Sequence, residues 1–401
     1  MFPVRIPCVC KRILCCLIFL TTGFLGGCRG INSQSIPGGG SNHGSTGDLP
    51  PTNSAVQRVI VIVLQNATFD HLFGTFPGAD GFHPGAPGYT QTDANGNSVS
   101  PFLLTTLSPK ALPEGRKAYV SVWNNGAMDK FAFYNGDEAM GYYDNSIAGV
   151  GTLWSYAQQF ALADNYFHSA MSEAPTNQLY MVAARDELAY PVQPFYGPCQ
   201  SPDSAAQPYT FKNVGDELTE KKIEWTLFAE SYGMCGGSYN PEHNPFQYFK
   251  STNNSSHIQD LSQFEFQLAS GTLPPVSFII PNHAHNMHPG GAPISSSIAW
   301  LDGLIHEVQK SSGWEHTAIV VTWDTGGGWY DHVPPPQVDL QGLGFRVPML
   351  VISPLAKKGY ISHIQMDHVS ILKFIQWNWG LGSLNSRNDV SNDIRDMFEG
   401  F

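Results

Sequence analysis

The stretch 58–64, "RVIVIVL", decides how the rest of the chain is read. After Arg58 come six apolar residues without a polar interruption, five of them β-branched. A strand of this kind has no face for water. It suits the centre of a parallel sheet that is covered on both sides. Similar runs recur at 276–280 ("VSFII", bounded by Pro274, Pro275 and Pro281), 317–323 ("TAIVVTW") and 347–353 ("VPMLVIS"), with a weaker one at 226–231 ("TLFAES"). Helical patterns alternate with them at 151–163, 176–188, 294–311 and 366–379. Alternation of this kind predicts an α/β fold, with a mostly parallel central sheet and helices on both faces. The 189–275 region lacks clear periodicity and is expected to form an irregular cap.

In open α/β sheets, sites form beyond the carboxyl ends of the strands. Three of the predicted strands end on chemistry. The first is followed by Gln65 and Asn66, then by Thr68, Asp70 and His71. The 276–280 strand is followed by "PNHAHNMHPGG", with His283, His285 and His288. The 317–323 strand delivers Asp324, Thr325, a triple-glycine turn and Asp331-His332. Asp324 is a hard oxygen ligand for a divalent cation. The glycines let backbone approach a ligand closely, and the imidazoles serve as phosphate donors or acid–base groups. Each stretch also has a plainer reading, as a turn pinned by side-chain-to-backbone bonds or as surface histidine. Taken together they form the kit for metal-assisted ester hydrolysis.

Composition sets the class. The 401 residues are 42% hydrophobic and only 13% charged, with 40 Gly and 29 Pro, as expected of a loop-rich globular protein. The net charge of −12 offers no basic field for nucleic acid. Residues 1–27 read as a signal peptide: Arg5, Lys11 and Arg12 precede the apolar run 13–25, which is short for a membrane span. The run closes on "LGGC", similar to a bacterial lipobox, which predicts cleavage before Cys28 and a lipid on its thiol. Residues 28–57, rich in Gly, Ser, Asn and Pro, read as a flexible tether. The folded domain is expected over 58–401. Of seven cysteines, four fall in the signal segment and Cys28 is the lipid site; the remaining pair, Cys199 and Cys235, reads as a disulfide in an oxidising compartment.

Several segments, in order, resemble the bacterial phosphoesterase family that includes phospholipases C and an acid phosphatase. They are "NATFDHLFG" (66–74), "MDKF" (128–131), "MGYYD" (140–144), "FALADNYFHSAM" (160–171), "GGWYDHVPPP" (327–336), "RVPMLVISPLAKKGYISH" (346–363) and "DHVSILKFI" (367–375). The resemblance implies an alkaline-phosphatase-like fold and a divalent metal. It further implies a metal-binding Glu-Asn pair after the first strand, a Ser or Thr nucleophile in an "[ST]-x-P-N" motif, an acidic pair after a late strand, and histidines on the phosphate. Carried over, this assigns Asn66 and Asp324 to the metal, His288 and His332 to the phosphate, and Asn177 to the motif's Asn.

This sequence departs from that pattern at three places. Gln65 stands for the Glu and Thr325 for the second acid. The motif reads "APTN", which puts Ala174 at the nucleophile without a gap, or Thr176 if a two-residue deletion is allowed. Thr176 at a helix start suits an anion; Ser172 is a further candidate. Losing two carboxylates around a divalent ion is worth several kcal/mol at an effective dielectric near 20, a loss that Asp70, Asp331 or Glu173 could offset. The expected function is phosphoester hydrolysis of phospholipase C or phosphatase type, through Thr176, a divalent metal at Asn66, Asp324, Gln65 and Thr325, and His288 and His332. The alternative is an impaired phosphate- or headgroup-binding envelope protein on the same scaffold. Trp123, Tyr142, Tyr143 and Trp329 are candidates for a choline-binding cage. The expected setting is the bacterial cell envelope, with the membrane reached through the lipid anchor.

Overall fold

The computed structural model describes residues 49–185, 195–200 and 207–400. The signal segment and Cys28 lie outside these residues. Among the described residues no helix is long and apolar enough to cross a membrane.

Eight strands form one sheet: β1 (Arg58–Leu64), β2 (Ala161–Ala163), β3 (Trp225–Ala229), β4 (Ile258–Asp260), β5 (Val276–Ile280), β6 (Thr317–Trp323), β7 (Met349–Ile352) and β8 (Tyr360–Ser362). Their order is β8-β2-β7-β6-β1-β5-β3-β4. The core β6-β1-β5-β3-β4 is parallel throughout; β7 runs antiparallel to both of its neighbours, β6 and β2. The fold is therefore α/β with a mostly parallel sheet. Every residue of β5 and β6 is buried, and in β1 only Arg58 is not. This is the burial that uninterrupted Val/Ile runs require. Each such side chain contributes about 1.5–3 kcal/mol by leaving water.

The main helices used below are α1 (Phe69–Phe73), α2 (Arg116–Trp123), α3 (Val150–Gln159), α4 (Ala174–Ala183), α5 (Leu261–Ser270), α6 (Ile294–Lys310) and α7 (His368–Trp379). α4 packs against α7, and α3 against α6. α7 starts at Asp367, where a capping box with Ser370 satisfies the first-turn amides, and stops at Gly380 in the left-handed region. The helix expected over 151–163 ends at Gln159, because its last apolar residues, Ala161–Ala163, pair with β7 and β8 instead. Burial in the sheet outweighed a helical pattern that fitted locally.

The stretch expected to be an irregular cap supplies β3 and β4 to one sheet edge, together with α5. Cys199 and Cys235 form the expected disulfide. The last residues of the expected tether are held on the domain. Val56 is fully buried, Asn53 N–H donates to Asn378 O at 2.8 Å, and Gln57 N–H donates to His316 O at 2.8 Å.

Candidate active site

The pairing of β1 with β6 continues past both strands. Asp324 N–H donates to Leu64 O at 2.9 Å, and Ala67 N–H donates to Thr325 O at 3.1 Å. This sets Gln65–Asn66 beside Asp324–Thr325. Gln65 N–H also donates to Asn286 O at 2.8 Å, which joins the loop after β5 to the same edge. Asn66 holds a left-handed φ of 60°, which asparagine tolerates. A Cβ at Gly327 would stand 2.5 Å from Asn66 Cβ, so the glycine turn allows the two strand ends to touch.

Asp324 is fully buried. Its Oδ2 accepts from Gln178 Nε2 of α4 at 3.2 Å, and its Oδ1 has no hydrogen-bond partner. Burial pushes its pKa up to about 7 and Glu114 adds to the shift; Gln178, the His288 charge and the backbone amide of Asn66 oppose it. His368 Nε2 meets the Asp324 carbonyl at 3.0 Å, and Tyr166 Oη meets His368 Nδ1 at 2.7 Å. Burial lowers His368 to about 4, so its neutral ring donates through Nε2–H and accepts from the tyrosine.

The neighbouring side chains form a chain of contacts. Thr325 Oγ1 donates to Asn66 Oδ1 at 2.7 Å; Asn66 Nδ2 donates to Glu114 Oε1 at 2.8 Å; His288 Nε2 lies 3.2 Å from the same Glu114 oxygen. The hydrogen bond to Glu114 raises the His288 pKa against the effect of its burial. Gln65 is held on the other side: its Oε1 accepts from Asn286 Nδ2 at 3.1 Å, and its Nε2 contacts His243 Nδ1. Burial lowers His243 to about 3, and the charges of His283 and His288 act in the same direction. His285 pairs with Glu230 at 2.8 Å.

Around α4, Asn177 Oδ1 accepts from Ala170 N–H at 2.9 Å, and its Nδ2 donates to Ser172 O and Glu173 O. Asn177 therefore secures the turn into the helix. Thr176 is buried in the first turn. Ala174 lies four residues before Gln178 and shares its face of the helix, whereas Thr176, two residues before, is turned about 200° away. Ser172 Oγ donates to Glu173 Oε2 at 2.7 Å, so both groups are engaged with each other.

His332, expected on the phosphate, sits in a separate buried cluster. Its Nδ1 lies 2.7 Å from Asp70 Oδ2. Arg346, itself fully buried, meets Asp70 Oδ1 through Nη2 at 2.9 Å and Asp331 Oδ1 through Nε at 2.9 Å. Burial opposes the His332 charge, but Asp70 and Asp331 outweigh it and the pKa rises. Asp331 is raised by burial, with Arg346 pulling it back. Trp329 and Tyr143 are likewise buried and pack around the His71 ring, Trp329 stacking at 4.0 Å, so these two do not form an open cage.

A family model described as "Phosphoesterase family" matches residues 56–382. The chain belongs to the phosphoesterase family. Among curated relatives, this chain is 25% identical to the non-hemolytic phospholipase C of Pseudomonas aeruginosa, over 86% of its own length and 57% of that protein's. It is 24% identical to phospholipase C A of Mycobacterium tuberculosis, over 88% of its length and 79% of that protein's. It thus spans little more than half of the Pseudomonas relative. Among solved structures, the phosphonate monoester hydrolase of Agrobacterium radiobacter aligns with 86% of this chain and 77% of its own, at 9% identity and a TM-score of 0.44.

Two places in this member of the phosphoesterase family bear on a metal. Ligand atoms of Asp70, Asp331 and His332 lie within 4.8 Å of one another, but Arg346 already provides their positive charge, so a cation does not fit there. The Asp324 edge does fit. A buried carboxylate oxygen without a partner calls for a proton or a cation, and Asn66, Thr325 and Glu114, joined by hydrogen bonds along the same strand edge, carry hard oxygens of the kind that magnesium, calcium or manganese prefer. Sequence reasoning missed Glu114, Gln178, His243 and Arg346. Glu114 and His243 come from segments without a motif; Gln178 directly follows the "APTN" motif and Arg346 opens one of the family segments, but the contacts of all four arise only through tertiary packing.

Proposed function

We propose that this protein hydrolyses phosphoester bonds of the phospholipase C or phosphatase type at the Asp324 strand edge. The observation that carries the reading is the unpartnered, buried Oδ1 of Asp324, in a chain whose family model is a phosphoesterase. Relatives named phospholipase C favour a phospholipid or another phosphoester as substrate.

Asp324 would hold a divalent cation, with Asn66 and Thr325 as neutral oxygen neighbours; when bound, the cation supplies Lewis acidity to the phosphoryl oxygen. The chain's own nucleophile in this reading is the Thr176 hydroxyl. It lies in the first turn of α4, where backbone amides favour a phosphate. Its oxygen gives up its proton to solvent and bonds to phosphorus as the alcohol leaves, and water then releases phosphate from a monoester, or the phosphorylated headgroup from a phospholipid, and restores the threonine hydroxyl. His288, whose pKa is raised, gives a proton to the leaving oxygen. Gln178 keeps Asp324 oriented. The N-terminal run and "LGGC" support a lipid anchor at Cys28 in a bacterial envelope, close to phospholipid.

One observation favours a second reading, a phosphate- or headgroup-binding protein without turnover. Ala174, not Thr176, shares the helix face of Gln178, and an alanine cannot attack. The discriminating experiment follows p-nitrophenyl phosphate and p-nitrophenylphosphorylcholine with EDTA, Ca²⁺, Mg²⁺, Mn²⁺ and Zn²⁺, beside Thr176→Ala. Cation-dependent turnover lost in the variant supports the threonine route. Turnover that survives it keeps hydrolysis and assigns the attack to another group, such as water. Binding of phosphate without turnover supports the second reading.

A further inference from the structure

Asp324 is the only acid among the strand-end residues Gln65, Asn66, Asp324 and Thr325. Glu114 brings a second negative charge to them from the loop ahead of α2. One amide joins the two ends of the set: Asn66 gives Nδ2 to Glu114 at 2.8 Å and takes the Thr325 hydroxyl on Oδ1 at 2.7 Å. The loop is shaped to arrive there. A Cβ at Gly328, where φ is +79°, would stand 2.7 Å from the Pro113 carbonyl oxygen. One at Gly115 would stand 2.6 Å from Glu173 Oε1. The segment 113–115 thus lies between the turn after β6 and the start of α4, and its approach to Gly328 is one that only glycine permits. The Glu114 side chain keeps 29% exposure, so a solute can reach it, and its charge acts on both His288 and Asp324. Independently of Glu114, Asp324 Oδ1 is buried without a partner.

We propose that Glu114 is the second carboxylate of this site, and that Glu114 and Asp324 together hold one divalent cation. The charge that the sequence lacks at positions 65 and 325 is supplied from a distant loop. The inference rests on reading the strand edge as a hydrolytic metal centre. In the absence of the cation, His288 Nε2 occupies the Glu114 oxygen at 3.2 Å, so histidine and cation compete for the same carboxylate.

The test is calorimetric titration of Mg²⁺, Ca²⁺ and Mn²⁺ into the purified protein and three variants at pH 8. The wild type is expected to bind one cation. Glu114→Gln should weaken that binding at least tenfold with unchanged circular dichroism, because the amide still accepts from Asn66. Glu114→Asp should recover part of the affinity. His288→Gln removes the competitor and keeps both acids, so it should bind as tightly as the wild type or more tightly. A wild type that binds no cation overturns the proposal, as does Glu114→Gln binding like the wild type. If Glu114→Gln fails to fold, His288→Gln decides, and weaker cation binding there overturns the proposal. Hydrolysis of p-nitrophenyl phosphate in the same samples separates the two readings. Turnover with unaltered affinity in Glu114→Gln leaves hydrolysis standing and removes Glu114; a tenfold loss of affinity without wild-type turnover does the reverse.

Discussion

Gln178 of α4 donates to one oxygen of Asp324 at 3.2 Å and leaves the other oxygen buried without a partner. This asymmetry links a helix on the sheet's face to the end of a central strand. The amide fixes the direction of the carboxylate, and the second oxygen is kept for a ligand. A purely structural Asp would be satisfied on both sides, since an unmet buried acceptor costs about 1–3 kcal/mol.

Gln178→Leu should therefore destabilise the cation-free protein at pH 8 by about 1–3 kcal/mol, because the charged form of Asp324 loses its donor. The loss should shrink at pH 5, where Asp324 is protonated. Urea unfolding of both proteins at the two pH values checks this; an equal loss at both would show that Gln178 acts through packing alone.

Asp324 also sets a pH dependence. Its folded pKa of about 7 lies above the unfolded value near 3.9, so the native state holds the extra proton between those limits. Stability conferred by this group falls as pH rises through that window and stays low above it. In EDTA, Asp324→Asn should be more stable than the wild type at pH 8, by up to about 4 kcal/mol, and the advantage should vanish below about pH 4. A stability difference independent of pH would contradict the assignment.

In the Arg346 cluster a buried guanidinium, and not an open ligand position, faces the buried acids. Arg346→Met leaves Asp70 and Asp331 buried without their cation, a change that typically costs about 3–5 kcal/mol. Arg346→Lys should not restore the loss, because Nη1 also donates to Asp80 O and Asp164 O and a single ammonium cannot cover four partners. Thermal unfolding of both variants tests this, and wild-type stability in Arg346→Lys would count against it.

The disulfide closes a loop of sequence separation 36. On a chain-entropy argument, Cys199→Ser with Cys235→Ser should lower stability by about 2–4 kcal/mol. Denaturation of the double variant under non-reducing conditions measures it; an unaltered midpoint would mean that the linked segments are already fixed by packing.

Much of this arrangement was legible in the sequence because it depends on strand cores and what directly follows them. The runs at 59–64, 276–280 and 317–323 became β1, β5 and β6, and the pairing of β1 with β6 put Asn66 beside Thr325, as the family resemblance implied. What escaped depends on packing between distant segments. Asp70 and His332 looked like site groups because both follow a strand end, but Arg346, far along the chain, lies at Asp70 and Asp331 and makes the cluster an internal ion network. Glu114 had no motif to announce it, since its position follows from clearances at Gly328 and Gly115. The tail of the 151–163 pattern became β2 because a short apolar run paired on both sides in the sheet serves a strand as well as a helix.

The most direct test of the central claim is the rate of p-nitrophenylphosphorylcholine and p-nitrophenyl phosphate hydrolysis by the wild type and Asp324→Asn, each with EDTA and with added divalent cation. Hydrolysis at this strand edge predicts turnover that needs the cation and falls at least a hundredfold in Asp324→Asn, a change equivalent to about 2.7 kcal/mol in the barrier. No turnover from folded wild type with any cation, or turnover indifferent to both EDTA and the substitution, would contradict it.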